Sequence, residues 1–152
     1  ALLERLSHLG AQLLIETLTR LGRGDCPREK QDEARMTYDP MLSKEMGKLD
    51  FTASTRACLC RVRAMNPWPC AYAPLAEGVL KVWKAAPAPT GGQGTPGTVL
   101  LADPKKGLVV ATGDGAIELQ EIQAPNAKRM TAKAFLLGHP MEAGKPLHEE
   151  TL

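Results

Sequence analysis

The segment Asn66-Pro67-Trp68-Pro69 restricts the fold of this chain more than any other short stretch. Its two prolines remove two backbone donors, fix φ at positions 67 and 69, and push the residues before them towards extended geometry. The preceding residues 55–65 are basic and have a helical pattern, so we predict a helix that ends in a rigid turn. Trp68 either fills a small core or presents a flat face for stacking, and we expect it to fill the core.

Composition indicates a domain with a mainly aliphatic core. Of the 152 residues, 43% are hydrophobic but only 4% are aromatic, which suits one domain with an additional segment. No apolar run is long enough to span a membrane and the start does not resemble a signal peptide, so we expect a cytoplasmic protein or one of an organelle matrix. Because the chain starts within a helical pattern and without Met, we expect it to be part of a longer protein.

Charge is unevenly distributed along the chain. Residues 43–138 carry twelve Lys and Arg against seven Asp and Glu, a net charge of +5, whereas residues 1–42 carry −1 and residues 139–152 carry −2. An excess of this size fits a polyanion partner and fits an ordinary solvated surface equally well.

The residues offer no recognisable catalytic arrangement. Histidines occur at positions 8, 139 and 148, none at a recognisable spacing from a nucleophile, and no HExxH, Walker loop or GxSxG motif is present. The four cysteines, at positions 26, 58, 60 and 70, form no CxxC pair, so we expect reduced thiols and no metal site.

Helices are predicted at both ends and in the middle of the chain. Leucines at helical spacing predict an amphipathic helix over residues 2–21, or two helices if Gly10 separates them. A second helix is predicted from Ala53 to Met65, with Asp50 or Thr52 as its N-cap. The apolar positions of this second helix are Ala57, Leu59, Val62 and Met65. A short third helix begins after Thr131 and ends at Gly138, and we expect the residues beyond it to be frayed.

Between the second and third helices the pattern is that of β-strands. A hairpin is predicted over residues 71–86, with Val79, Lys81 and Trp83 on one face and Lys84 on the other. After a loop at 87–97, three strands at 98–102, 108–112 and 116–123 form a meander with glycine-containing turns. The Gly113-Asp114-Gly115 turn joins two strands and opens no helix, which argues against a phosphate-binding loop.

These elements predict an α+β fold that is mainly β. We expect a small open Greek-key barrel, similar to the oligonucleotide-binding fold, with flanking helices and a leading amphipathic helix. The predicted divisions are a leading helix at 1–24, a linker at 25–41, the barrel domain at 42–140 and a tail at 141–152.

Seven segments of the sequence, in order, match the pattern of one known family. They are Thr37-Tyr38 followed by Leu42-Ser43-Lys44-Glu45, Leu49-Asp50-Phe51, Arg63-Ala64-Met65-Asn66-Pro67-Trp68-Pro69, Val82-Trp83-Lys84-Ala85, Pro96-Gly97-Thr98 and Val110-Ala111-Thr112-Gly113-Asp114-Gly115. In these segments the chain resembles the C-terminal domain of the methionyl-tRNA formyltransferases. The chain departs from the family where Met41 replaces a frequent lysine and Cys70 a frequent glycine. The resemblance covers nearly the whole chain and agrees with the barrel fold.

The resemblance implies an enzyme that transfers a formyl group from 10-formyltetrahydrofolate to methionyl initiator tRNA in translation initiation. The family's catalytic Asn, His and Asp and its Ser-Leu-Leu-Pro folate loop belong to an N-terminal domain and are not found here. We therefore expect this part alone to be inactive, to bind no cofactor, and to hold the body of the tRNA beside the missing catalytic domain. In the family, residues 1–24 correspond to the end of that catalytic domain.

Holding tRNA requires cationic side chains that meet phosphates. The candidates are Lys44, Lys48, Arg61, Arg63, Lys81, Lys84, Lys105, Lys106, Lys128 and Arg129. Lys44 ranks first because it lies in the family's Leu-Ser-Lys-Glu motif, whereas Asn66, Pro67, Trp68 and Pro69 are expected to be structural. Two alternatives remain: an accessory domain of another folate-dependent formyltransferase or hydrolase, and an interaction module that dimerises through helix 2–21.

Overall fold

A computed structural model describes residues 2–75, 78–89 and 92–147 of the chain. The chain divides into two compact units, Ala1–Pro40 and Met41–Leu152. Among the described residues, no helix combines the length and apolarity that a membrane span requires.

The first unit consists of one long helix followed by an extended segment. Helix α1 (Leu2–Gly22) is continuous through Gly10, so the prediction of a helix is confirmed and it is a single one. None of its described residues is buried, and its leucine side chains are therefore exposed. In the segment that follows, one 3₁₀ turn (Glu33–Arg35) begins where Asp32 accepts a hydrogen bond from the Ala34 amide at 3.0 Å.

Within its described residues, the second unit contains two helices, six strands and one 3₁₀ turn. They are the 3₁₀ turn Glu45–Gly47, helix α2 (Thr55–Ala64), strands β1 (Ala71–Leu75), β2 (Gly78–Pro87), β3 (Val99–Asp103), β4 (Gly107–Ala111), β5 (Ala116–Gln123) and β6 (Met130–Thr131), and helix α3 (Ala132–Gly138). The predicted hairpin, meander and third helix are all confirmed.

All six strands belong to one open antiparallel sheet. Its order is β1-β2-β5-β4-β3, with β6 paired to β5 beyond this path. Strands β3, β4 and β5 form a meander, and β2, which precedes them in the chain, pairs with β5, the last of the three. This is a Greek-key arrangement. The predicted class, mainly β with flanking helices, is confirmed, and the sheet is open.

The core lies between one face of this sheet and the two helices. Alternating residues of β2 and β5, such as Leu80, Val82 and Ile122, are fully buried there. Helix α2 contributes Cys58, Leu59 and Val62. The predicted core of α2 was wrong in one position, because Ala57 is exposed and its neighbour Cys58 is buried.

The start of α2 is fixed from two directions. Ser54, not Asp50 or Thr52, is the N-cap, and its hydroxyl accepts a hydrogen bond from the Ala57 amide at 3.2 Å. Asp50 instead accepts from the Thr52 amide at 2.9 Å and forms the turn before the helix. From the other side, the carboxylate of Asp114 accepts from the Thr55 amide at 2.7 Å.

The Gly113-Asp114-Gly115 turn therefore has a structural role. The Gly113 amide donates to the Ala53 carbonyl at 2.9 Å, and a Cβ at Gly113 would lie 2.2 Å from the Thr52 carbonyl oxygen. The hydrogen bonds from the Thr55 amide and hydroxyl also lower the pKa of the Asp114 carboxyl. The turn between β4 and β5 thus holds the beginning of α2 against the sheet.

The residues after α3 are not all frayed, which corrects the predicted tail. The Val99 amide donates to the Lys145 carbonyl and the Leu147 amide to the Gly97 carbonyl, both at 2.8 Å. Leu147 is buried. Residues 141–147 therefore lie along the β3 edge and cover backbone groups that an edge strand would expose. The rest of the predicted tail, 148–152 with its histidine, lies outside the described residues.

Candidate nucleic-acid interface

One row of side chains crosses the sheet on the face opposite the core. The register pairs Lys48 with Tyr72, Tyr72 with Lys81, and Lys81 with Gln123. Residues directly opposite one another on paired strands share a face. The residues next to them in sequence are buried on the other face, namely Leu49, Ala71, Leu80, Val82 and Ile122. The row therefore faces outward, with Lys48 and Lys81 on either side of Tyr72.

Trp83 extends the row along β2. Its indole N–H donates to the side-chain oxygen of Gln123 at 3.1 Å, and the Gln123 amide donates to the Ala127 carbonyl at 2.9 Å. The Arg129 guanidinium lies 5.0 Å from the Trp83 ring centroid. We call Lys48, Tyr72, Lys81, Trp83, Gln123 and Arg129 the outer face.

Among the ion pairs of the described residues, one includes a member of the outer face, and that member is Arg129. Its Nε donates to Oε2 of Glu121 at 2.6 Å, and its Nη2 contacts the same oxygen. Both side chains are partly exposed, which keeps such a pair weak. Glu121 therefore orients Arg129 over Trp83 and offsets part of the positive charge of this face.

Lys84 lies beside the outer face and not opposite it, which corrects its predicted direction. The register shifts on both sides of Lys84, where Lys84 pairs with Glu121 and the next residue, Ala85, pairs with buried Leu119. A bulge at Trp83 inserts one extra residue into β2. Ala85, not Lys84, consequently returns to the core side, and Lys84 is exposed.

The Asn66-Pro67-Trp68-Pro69 turn ends α2 as predicted and lies against β2. The Asn66 amide group donates to the Trp83 carbonyl at 3.1 Å, and the Cys70 amide closes the turn by donating to the Met65 carbonyl at 2.8 Å. Trp68 does not fill a core, because 54% of it is exposed. That prediction was wrong: the aliphatic side chains of the sheet and helices already fill the interior.

Cys70 occupies a position where the resemblance described above gives glycine as the frequent residue, and its backbone conformation is one that favours glycine. Its φ is +71°, a left-handed conformation that costs a non-glycine residue about 1 kcal/mol. The side chain is 2% exposed. Burial raises the pKa of the Cys70 thiol, while the positive charges of Lys81 and Arg129 act to lower it.

The arginines of α2 are partly engaged in holding the fold. Arg61 donates to the Met46 carbonyl at 2.7 Å and so ties α2 to the 3₁₀ turn that follows Lys44. Arg63 donates to the Cys60 sulfur at 3.1 Å. Arg56, which the sequence did not single out as a candidate, shares a shallow groove with Arg63. Lys44 itself is exposed.

Two other candidates lie at a different place. Lys105 and Lys106 occupy the β3–β4 turn, at the sheet edge farthest from β1. The Asp103 carboxylate accepts their backbone amides at 2.7 and 2.8 Å, and these two hydrogen bonds lower the pKa of the Asp103 carboxyl. Lys128 is exposed next to Arg129. The structure thus groups Lys48, Lys81 and Arg129, and leaves the turn lysines apart.

Nothing in the described residues forms a metal centre, since no group of three His, Cys, Asp or Glu lies within coordinating distance. The four cysteines are free in this structure. The sequence missed two parts of the outer face. Tyr72 carried no signal beyond its strand position, and the Trp83–Gln123 hydrogen bond joins residues 40 positions apart.

Residues 41–140 match the family model described as formyl transferase, C-terminal domain. The chain belongs to this family. Methionyl-tRNA formyltransferase of Citrifermentans bemidjiense is 42% identical over 141 residues, which cover 93% of this chain and 43% of that protein. That of Bacillus licheniformis is 40% identical over 145 residues, covering 95% of this chain and 46% of that protein. The chain thus spans less than half the length of these two relatives.

The fold also occurs in a solved protein of lower similarity. The structural match to HypX from Aquifex aeolicus covers 84% of this chain and 22% of the HypX chain, with a TM-score of 0.61 and 22% sequence identity. At this identity the likeness shows the fold alone.

Proposed function

We propose that this chain is the C-terminal part of a methionyl-tRNA formyltransferase and holds the body of initiator methionyl-tRNA during formylation in the cytoplasm. The family match and the curated relatives support the enzyme class. The observation that carries the tRNA-holding role is the outer face, where Lys48, Lys81 and Arg129 lie next to Tyr72 and Trp83. Basic side chains with interleaved aromatics suit a nucleic-acid backbone and its bases.

The role assigned to this chain is positioning, and the formyl transfer itself takes place elsewhere in the proposed whole enzyme. The bound donor, 10-formyltetrahydrofolate, would supply the formyl group. A planar pterin needs an accessible stacking surface and several polar partners. A cavity of about 690 Å³ has Phe135 on its wall, but His139 already stacks on that ring at 4.3 Å between centroids. We therefore assign no folate site to this chain.

The leucine stripe of α1 also needs a partner. The relatives are about twice as long as this chain, and we assign the stripe to the part of such a protein that this chain does not cover. Sedimentation of the chain over a wide concentration range separates this assignment from dimerisation. A dimer that is lost when residues 1–24 are deleted would favour the alternative interaction module.

Binding of initiator methionyl-tRNA across a salt series tests the proposed holding role. Each phosphate contact contributes about 0.9 to the slope of log affinity against log salt for a duplex. Lys48→Ala with Lys81→Ala is expected to weaken binding and to reduce that slope by nearly two. The matched control is Lys105→Ala with Lys106→Ala, which removes equal charge at the far turn.

Equal loss in both double variants would show a nonspecific charge effect and would contradict the proposed face. If the whole enzyme showed no affinity for tRNA, the alternative accessory role in another formyltransferase would gain support.

A further inference from the structure

Trp68 is an exposed aromatic side chain on a turn that is held in place. Prolines lie on both sides of it, the Cys70 amide bonds to the Met65 carbonyl, and Asn66 bonds to the backbone of Trp83. More than half of its surface is accessible, at 54%. A large ring that is already positioned loses little freedom on binding, which favours affinity.

The turn that carries this ring packs against a basic part of the sheet. Asn66 donates to the Trp83 carbonyl at 3.1 Å and the Cys70 thiol donates to the Val82 carbonyl at 3.7 Å, so both ends of the turn lie against the part of β2 that directly follows exposed Lys81. The chain's other tryptophan, Trp83, has Arg129 over its ring. Trp68 is therefore the more exposed of the two tryptophans, and its turn packs against a basic part of β2.

Together, these observations identify a chemistry. An exposed ring on a turn next to a basic strand suits a ligand that carries a flat base on a negatively charged backbone, because the base stacks and the phosphates meet the cations. In paired RNA the base faces are covered by their neighbours, whereas bases of loops and ends are free to stack on aromatic side chains.

We propose that Trp68 is a stacking contact for one unpaired base of an RNA, with Lys81 near the adjoining phosphates. The inference rests on the proposed tRNA-holding function and adds to it the kind of RNA feature that binds here. It predicts that this part of the chain distinguishes unpaired nucleotides from a plain duplex.

Binding of the 152-residue chain to three RNAs tests this contact. The RNAs are initiator tRNA, a single strand of about ten nucleotides of mixed sequence and a blunt duplex of the same length. Trp68→Ala is expected to weaken binding of the single strand and the tRNA by about 5- to 150-fold, the range found for removing one stacking aromatic, and to leave the duplex unchanged. Trp68→Phe keeps a ring and is expected to lose much less.

Two controls keep the result interpretable. Leu137→Ala removes another exposed apolar side chain, on α3, and is expected to change no RNA affinity. If Trp68→Ala fails to fold, tryptophan fluorescence gives the second measurement: the single strand should quench the emission of the unaltered chain, and this quenching should be mostly lost in Trp68→Phe, which retains Trp83.

Unchanged affinity in Trp68→Ala, or equal loss for duplex and single strand, would overturn the stacking contact. The stacking contact would also be overturned if Trp68→Ala left all RNA affinities unchanged and weakened only the association of the chain with another protein. Should tRNA binding still depend on Lys48 and Lys81 in such a result, the stacking contact fails and the proposed function stands. A chain that binds none of the three RNAs would count against both.

Discussion

The outer face and the β3–β4 turn are both basic, but they differ in what surrounds their lysines. On the outer face, Lys48 and Lys81 stand in register on either side of Tyr72, above a fully buried layer of the sheet. At the turn, Lys105 and Lys106 follow a carboxylate that accepts both of their backbone amides. Equal numbers of lysines therefore have different settings, and the number of charges alone does not identify a binding surface.

The difference begins in the chain itself. Strand β2 alternates buried and outward residues up to a bulge, which keeps Lys81 and Trp83 on one side. The β3–β4 turn needs Asp103 to organise its amides and Gly107 at a φ of +122° to close it. Its lysines lie at the positions that the turn leaves for solvent.

The largest effect is expected from the layer below the outer face. Leu80→Ala should lower the free energy of unfolding by about 2–5 kcal/mol, because Leu80 is fully buried and a cavity remains. Val79→Ala is the matched control on the same strand; Val79 is 38% exposed, and we expect about 0.5 kcal/mol or less. Urea unfolding measures both, and similar losses would show that the two faces of β2 are not distinguished as described.

An intermediate effect is expected from the carboxylate that offsets Arg129. Glu121→Gln should raise tRNA affinity a few-fold and steepen its salt dependence, since Arg129 would then carry unbalanced charge. Stability should fall by only about 0.2–1 kcal/mol, as for other exposed pairs. Glu118→Gln on the same strand removes equal charge without freeing Arg129. An equal gain in that control would mean that net charge, and not the outer face, sets affinity.

The smallest effect is expected at the turn and depends on pH. Because the pKa of Asp103 is lowered in the folded chain, its carboxylate stabilises the folded turn fully at any pH above the ordinary pKa of aspartate. This contribution should be lost as the pH falls through the lowered pKa. Asp103→Asn should therefore show a smaller loss of unfolding free energy in acid than the unaltered chain. Parallel pH curves would contradict the role of this carboxylate.

Local patterns predicted most of the fold. Alternating apolar residues and glycine turns gave the hairpin and the meander, and Thr131 caps α3 as expected, with its hydroxyl accepting from the Ala134 amide at 3.2 Å. The N-cap of α2 was misplaced because Asp50, Thr52 and Ser54 are all capping residue types. At the same helix start the Thr55 amide binds the carboxylate of Asp114, a residue 59 positions away, and the sequence pattern carries no sign of this contact.

The site was less predictable, because it depends on register and on edges. Ten basic candidates were recognisable, but only strand pairing shows that Lys48 and Lys81 flank one tyrosine. The exposure of Trp68 depends on how completely aliphatic residues fill the core, and the docking of residues 141–147 depends on an open β3 edge. None of these conditions is local in sequence.

The most direct test of the central claim is to map backbone amide shifts by NMR while initiator methionyl-tRNA is added to the chain. The outer-face account predicts the largest changes at Lys48, Tyr72, Lys81 and Trp83, with little change at Lys105 and Lys106. Changes that are largest at the β3–β4 turn, or spread evenly over all exposed lysines, would contradict it.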